Sequence, residues 1–218
     1  MAIRLMAADD RARVVEIHQG SFPGFFLSSL GPSFLSLLYD SIRTDTEGIA
    51  LVHQDSKVDG FVAGVIDQPA FFRRMRRTRW WRFAFSAAGT VIRRPHILIR
   101  LIRSLKLAET SEKATAKACL LSIAVAKESQ GQGIGRQLVS AFCLEMKRRN
   151  IPAFCLMTDR DQNEATNAFY LRLGFTLSRV LMTPEGRKMN EYLMLLPRKD
   201  DATSTPSYSE VSSSFQLL

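Results

Sequence analysis

The sequence predicts one mixed α/β domain. Three observations carry that expectation. Strand-like and helix-like stretches alternate along most of the chain, two apolar runs form a hairpin, and a third, fully apolar run leads through glycines into a helix. With 218 residues, 46% of them hydrophobic, the chain can bury a proper core and fits one domain better than two. A composition this near the globular average excludes collagen-like, coiled-coil and wholly disordered architectures.

The elements follow in order. Ile3 to Met6 is short and apolar and reads as a first strand. Asp9 or Asp10 is positioned to cap a helix that runs through His18. A turn-rich stretch with Phe22, Phe25 and Phe26 comes next. Pro32 then suits the first position of a second helix, whose buried face would be Phe34, Leu35, Leu37, Leu38 and Ile42. Gly48 to Val52 and Gly60 to Ile66 read as strands joined by the polar turn Asp55 to Asp59. Cys119 to Val125 is continuously apolar apart from Ser122, as a central strand should be. A helix from Gly135 to about Asn150 would bury Leu138, Val139, Phe142 and Met146. Pro152 to Met157 is another strand. Asn163 to Leu173 is a helix stopped by Gly174, and Phe175 to Leu181 with Glu191 to Leu196 makes a last hairpin. From Pro197 onward, Ser, Thr and Asp dominate without apolar periodicity, which predicts a disordered tail at 198–218.

The net charge of +9 is concentrated. Between Gln68 and Glu109 there are 11 Lys/Arg and no Asp/Glu, whereas the rest of the chain holds 19 Lys/Arg against 21 Asp/Glu. This is a nearly neutral protein carrying one basic block, an insert at 69–114. Its longest uncharged run, Phe83 to Ile92, is about half the roughly 20 residues a spanning helix needs. Pro95 could open an amphipathic helix with Arg93, His96, Arg100 and Arg103 on one stripe and Ile97, Leu98, Leu101, Ile102 and Leu105 opposite; the half with Trp80 and Trp81 has no clean period. Three readings stay open. The insert packs on the domain as an acceptor-site lid, its arginines merely solvated or gripping an anionic substrate. It lies through 70–107 on an anionic membrane surface. Or, least favoured, it binds nucleic acid.

Cys119, Cys143 and Cys155 form no CxxC pair and have no histidine nearby, which argues against a zinc site, and no metal is expected; it also argues against a disulfide framework. A reducing, cytoplasmic setting follows. The start MAIRLMAADD lacks an apolar core of signal-peptide length.

The chemistry-bearing stretch is Gln130-Gly131-Gln132-Gly133-Ile134-Gly135, between a buried strand and a helix. Glycines let the backbone approach a ligand closely, and the helix start offers unpaired N–H groups, so the turn suits a phosphate or pyrophosphate. Arg136 adds a cation. A tight turn with no ligand is the alternative. The spacing is not that of a dinucleotide fingerprint, and no Gly-Lys-Ser/Thr follows, so it is not a P-loop.

LSIAVAKESQGQGIGRQL resembles the acyl-CoA-binding motif of the GNAT superfamily of N-acyltransferases, with Gln130, Gly133 and Gly135 meeting its pattern. NEATNAFYLRLGF resembles the family's later motif, with Asn163, Tyr170, Gly174 and Phe175 in register and Thr166 where a smaller residue is usual. The resemblance spans about 1–68 and 115–197 and is strongest from Leu120 to Phe175. It implies a GNAT fold, an α+β mixed sheet, with a helical insertion in a single domain over 1–197. It also implies acyl-CoA, acetyl-CoA above all, as co-substrate with an amine acceptor. The backbone of Ile123 and Val125 would pair with the pantetheine arm, and the Val125 amide would face the thioester oxygen. Gly131, Gly133, Gly135 and Arg136 would take the pyrophosphate, with Gln130 and Asn163 beside the cofactor; Asn163 would serve equally well as an ordinary N-cap. Tyr170 would be the general acid; as a buried aromatic it would serve packing instead. For the proton of the amine, Asp67, Glu128, Ser122 and His18 are open candidates. The rival class is a non-catalytic acyl-CoA-binding or membrane-surface protein on the same scaffold. If the insert takes the lipid reading, the protein is peripheral at the inner membrane face.

Overall fold

The protein is described by a computed structural model, which covers residues 2–93, 115–183 and 186–197; side chains are described to 86 in the first segment. Seven strands form one sheet in the order β1-β2-β3-β4-β5-β7-β6. They are β1 (Ala2–Leu5), β2 (Gly48–Gln54), β3 (Val58–Val65), β4 (Ala118–Val125), β5 (Ala153–Asp159), β6 (Thr176–Met182) and β7 (Lys188–Leu195). Every pairing is antiparallel except β4 with β5. The helices are α1 (Arg11–Ser21), α2 (Phe26–Ser29), α3 (Pro32–Thr44), α4 (Gln68–Arg93), α5 (Ile134–Arg148) and α6 (Glu164–Arg172). The element order matches the one the periodicity predicts, with α2 added inside the turn-rich stretch.

The helices cover both faces of the sheet. On one, α1, α3 and α4 bury Val14, Val15, Leu35, Ile42, Phe71 and Met75 against β2 and β3. On the other, α5 and α6 bury Leu138, Phe142, Met146 and Tyr170 against Phe154, Leu156 and Tyr192. The four positions expected inside α5 are all buried. On α3, Leu37 is only half-buried while Tyr39 and Ser41 are buried.

Asp10 does not cap α1 with its side chain. Its carboxylate is taken by the Arg4 guanidinium at 2.6 and 2.8 Å and by the Ala7 N–H at 2.7 Å. That pairing holds the Asp10 carboxyl below its usual range and ties β1 to the start of α1.

The first half of the basic block, which shows no clean period in the sequence, is one continuous helix. Phe71, Met75 and Phe83 of α4 are buried at spacings of four and eight, and Phe83 meets Phe34 of α3 edge-on at 5.1 Å. Each such side chain contributes about 1.5–3 kcal/mol on burial. The pairs that Arg74 makes with Asp45 and Glu47 are partly exposed and contribute at most ~1 kcal/mol each. Apolar packing therefore fixes α4 along α3. The expected helix from Pro95, with His96, Arg100 and Arg103, lies outside the described residues, as does the tail at 198–218.

The feature that positions the site is the join of β4 to β5. These strands pair at only three positions, Ala118 with Phe154, Cys119 with Cys155 and Leu120 with Leu156. Beyond them β4 stays with β3 to Val125, and β5 stays with β7 to Asp159. The register of β4 on β3 slips where Gly64 faces Leu120 and Ala63 faces Ser122, leaving Leu121 as an extra residue. Such a bulge bends its strand and steepens its twist. The two central strands part there, and a cleft opens toward their C-terminal ends.

Gly64 is what the bulge leans on. A Cβ at this position would sit 2.5 Å from the Cys119 carbonyl oxygen and 2.5 Å from the Phe142 ring. We predict that Gly64→Ala lowers stability by about 2 kcal/mol or more, read by denaturant unfolding; a variant as stable as the parent would show that the close approach is not a constraint.

Candidate active site

Backbone direction along β4 decides what the cleft presents. The Ala126 N–H donates to the Asp59 carbonyl at 2.8 Å, toward β3. In an extended strand the N–H and C=O of one residue point to the same edge, and successive residues alternate. The amide groups of Val125 and Ile123 therefore point the other way, into the cleft. The Val125 carbonyl agrees: it accepts from Gln130 Nε2 at 3.2 Å and Ser21 Oγ at 3.5 Å. Gln130, expected beside the cofactor, here folds back onto the end of β4.

The glycine turn borders the same opening. Gly131 and Gly133 have φ of 81° and 79°, the left-handed region that glycine enters without penalty. Both are exposed, whereas Ile134 is buried and anchors the turn. Gly135 faces α6, and a Cβ there would meet the Phe169 ring at 3.4 Å, an ordinary van der Waals contact. The Gln137 N–H reaches the Gly133 carbonyl at 3.1 Å, but the six N–H groups from Gly131 to Arg136 have no protein acceptor among the described residues. With the positive end of the α5 dipole behind them, these groups could hold an anion. The exposed Arg136 has no ion-pair partner among the described residues.

The far wall comes from β5 and α6. Tyr170 is buried among Phe169, Phe175 and Tyr192, and Ile123, Val125 and Ile134 belong to the same apolar cluster. Its hydroxyl has no protein partner among the described residues, and burial pushes its pKa up to about 12. The helix ends by donating Phe175 N–H to the Tyr170 carbonyl at 3.1 Å and Gly174 N–H to the Leu171 carbonyl at 3.0 Å, which fixes Tyr170 in place. Asn163 does not cap α6 with its side chain. Its amide nitrogen donates to Thr158 Oγ1 at 2.8 Å and the Asp159 carbonyl at 3.0 Å, so both protons are used to hold the end of β5. Only its carbonyl oxygen remains for a ligand.

The other face of the cleft carries groups the sequence did not connect. Tyr39 Oη donates to Ser122 Oγ at 3.0 Å and lies 2.6 Å from His18 Nδ1. If the phenol donates to serine, the imidazole Nδ1–H donates to the phenol, and His18 Nε2 is left buried without a partner. Burial holds the His18 pKa down at about 4. His18 and Ser122, two separate candidates for the amine's proton, thus belong to one hydrogen-bonded chain through Tyr39, a residue the apolar periodicity of α3 gave no reason to single out. The other two candidates fall away. Asp67 accepts the Ala70 N–H at the start of α4, at the end of the sheet opposite the cleft. Glu128 is exposed and held by Arg13 and Lys57; its own backbone N–H first, and then these two cations, lower its pKa to about 2. Across the mouth, Arg187 pairs with Asp159 at 2.6 Å, and its guanidinium lies 5.1 Å from the Phe25 ring. The α1–α2 loop and the β6–β7 turn therefore meet there. No group of side chains able to hold a metal ion occurs among the described residues.

Residues 97–177 match the acetyltransferase (GNAT) domain. No curated protein matches the chain by sequence. Solved structures match it by fold. The ribosomal-protein-S18-alanine N-acetyltransferase from Escherichia coli aligns over 89% of this chain and 93% of its own, at TM-score 0.55 and 16% identity. Ard1 from Thermoplasma volcanium aligns over 90% and 98%, at 0.59 and 17%. An aminoglycoside 6'-N-acetyltransferase complexed with coenzyme A aligns over 91% and 99%, at 0.58 and 15%. The family match covers residues 97–177, and the chain as a whole has the fold of these acetyltransferases.

The buried histidine makes a pH prediction. Its folded pKa lies below the ordinary value of 6.5. The unfolded chain thus takes the proton first as pH falls, and stability held above pH 6.5 drains away toward pH 4. Thermal unfolding across this window should show that loss, and His18→Asn, which keeps a donor near the Nδ1 position, should flatten it. Identical slopes for both proteins would mean that His18 is not buried neutral.

Proposed function

We propose that the protein is an N-acyltransferase that moves an acetyl, or another short acyl group, from acyl-CoA to a primary amine by direct attack. We further propose that residues 1–197 act as one catalytic domain interrupted by the basic insert. The observation that carries the reading is the pairing of β4 with β5 at only three positions, beside six unpaired N–H groups at the start of α5. This combination suits a long, thin ligand with a diphosphate at one end and a reactive group at the other. A β4 edge inside the cleft supports pairing of Ile123 and Val125 with the pantetheine arm.

In this reading each residue has a separate task. The amides of Gly131, Gly133, Gly135 and Arg136, with the Arg136 side chain, bind the pyrophosphate. Gln130 and the Asn163 carbonyl adjoin the cofactor. The Val125 N–H stabilises negative charge developing on the acyl carbonyl oxygen, where a fixed donor in a dry site is worth most. The amine nitrogen bonds to the acyl carbon, the carbon–sulfur bond breaks, and Tyr170 gives its proton to the departing thiolate, while the proton that the nitrogen loses passes to water and water returns one to the Tyr170 phenolate. A phenol near 12 is a weak acid, but the same apolar surroundings raise the thiol's pKa too, so donor and acceptor move up together.

A thiol-release assay with acetyl-CoA and a panel of amines tests the reading. Turnover is expected, whereas binding without release would identify the non-catalytic class. Tyr170→Phe should lower kcat ~10²-fold with little change in CoA affinity; equal activity would remove Tyr170 from the acid role. Gly133→Trp should abolish CoA binding, and Arg136→Glu should weaken it at an unchanged melting temperature. Unaltered affinity in a folded variant would refute the pyrophosphate assignment.

A further inference from the structure

The outer face of α4 has no role in the cleft chemistry. Over its 26 residues, about 39 Å of helix, α4 carries arginines and no Asp or Glu. Its buried stripe of Phe71, Met75 and Phe83 packs on the α1–α3 side of the domain. The opposite face, at spacings of four, three, one and three, is Arg73, Arg77, Trp80, Trp81 and Ala84, all exposed. Phe85 flanks it. Trp80, Trp81 and Phe85 are 61%, 51% and 76% exposed, with Trp81 and Phe85 in edge contact at 6.5 Å. Two tryptophans and a phenylalanine side by side in water form a contiguous apolar patch, and such patches mark contact surfaces.

The order along the helix says what kind of contact this is. Cationic groups occupy the first half of the exposed face and aromatic groups the second. Indole rings favour the boundary between headgroups and acyl chains, and guanidinium groups favour anionic headgroups. A helix with these two ends satisfies both by lying in the plane of a bilayer with its aromatic end dipped. No described helix is long and apolar enough to cross a membrane, so a surface position is the one that fits. A nucleic-acid duplex would satisfy the arginines but keeps its bases stacked inside, leaving the three rings in water. We propose that the outer face of α4 docks the protein on an anionic lipid bilayer. The proposal stands on α4 alone and does not depend on acyl transfer.

Trp80 and Trp81 are the two tryptophans of the whole chain, so their emission reports this face directly. The full-length protein is mixed with vesicles of phosphatidylcholine alone, or of three parts phosphatidylcholine to one part phosphatidylglycerol. The anionic vesicles should shift tryptophan emission to the blue and carry the protein upward on flotation, and neutral vesicles should do neither. Trp80→Ser/Trp81→Ser and Arg73→Glu/Arg77→Glu, each checked for folding by circular dichroism, should lower the partition coefficient about tenfold. Absence of flotation and blue shift with anionic vesicles would overturn the proposal. So would undiminished flotation of both variants, or release of bound protein by a duplex oligonucleotide at equal phosphate concentration.

Discussion

The parting of β4 from β5 is the constraint on which the rest of the structure depends. A parallel pair would normally run the length of both strands, because each unmade rung leaves a backbone donor and acceptor to be satisfied elsewhere. Here each strand keeps its outer partner, β3 for β4 and β7 for β5, and the extra residue at Leu121 turns β4 away. The inner edges of both strands are left without a strand neighbour. Everything assigned to the cleft follows from that: the direction of the Val125 and Ile123 amides, the place of the glycine turn at its rim, and Tyr170 in the cluster behind it.

The turn itself is inexpensive to leave unpaired. Gly131, Gln132, Gly133 and Arg136 are exposed, so water can reach their N–H groups, and the penalty for burying a lone donor is not incurred there. What the fold supplies is orientation. Ile134 is pinned beneath, Gly135 lies against Phe169, and α5 is held by Leu138, Phe142 and Met146. A loop with the same glycines but no anchored helix would offer the same donors without a common direction.

Much of this was legible in the sequence, because apolar periodicity and glycine spacing are local signals. The strand order of the hairpins, the buried stripe of α5 and the glycine turn all follow from residues within a few positions of one another. What was not legible depends on contacts between distant segments. Nothing near Tyr39 indicates that it lies between His18 and Ser122. Asp10 looks like a cap until Arg4 is seen to hold it, and Asn163 looks like one until β5 is seen to use both its amide protons. The α4 stripe was obscured for a different reason: Arg79 sits near the buried side of a helix whose exposed side carries tryptophans, which inverts the usual pattern of polar outside and apolar inside.

The three-rung join has a mechanical consequence. Since so little backbone ties the two leaves of the sheet, their separation is gauged mainly by the rings wedged behind it, Phe142 against Phe154 at 5.1 Å and Phe154 against Phe175 at 5.5 Å. A thinner or fatter side chain at Phe154 would alter the gap without touching any residue that lines it, so the calibre of the opening can drift through the core while the lining stays the same.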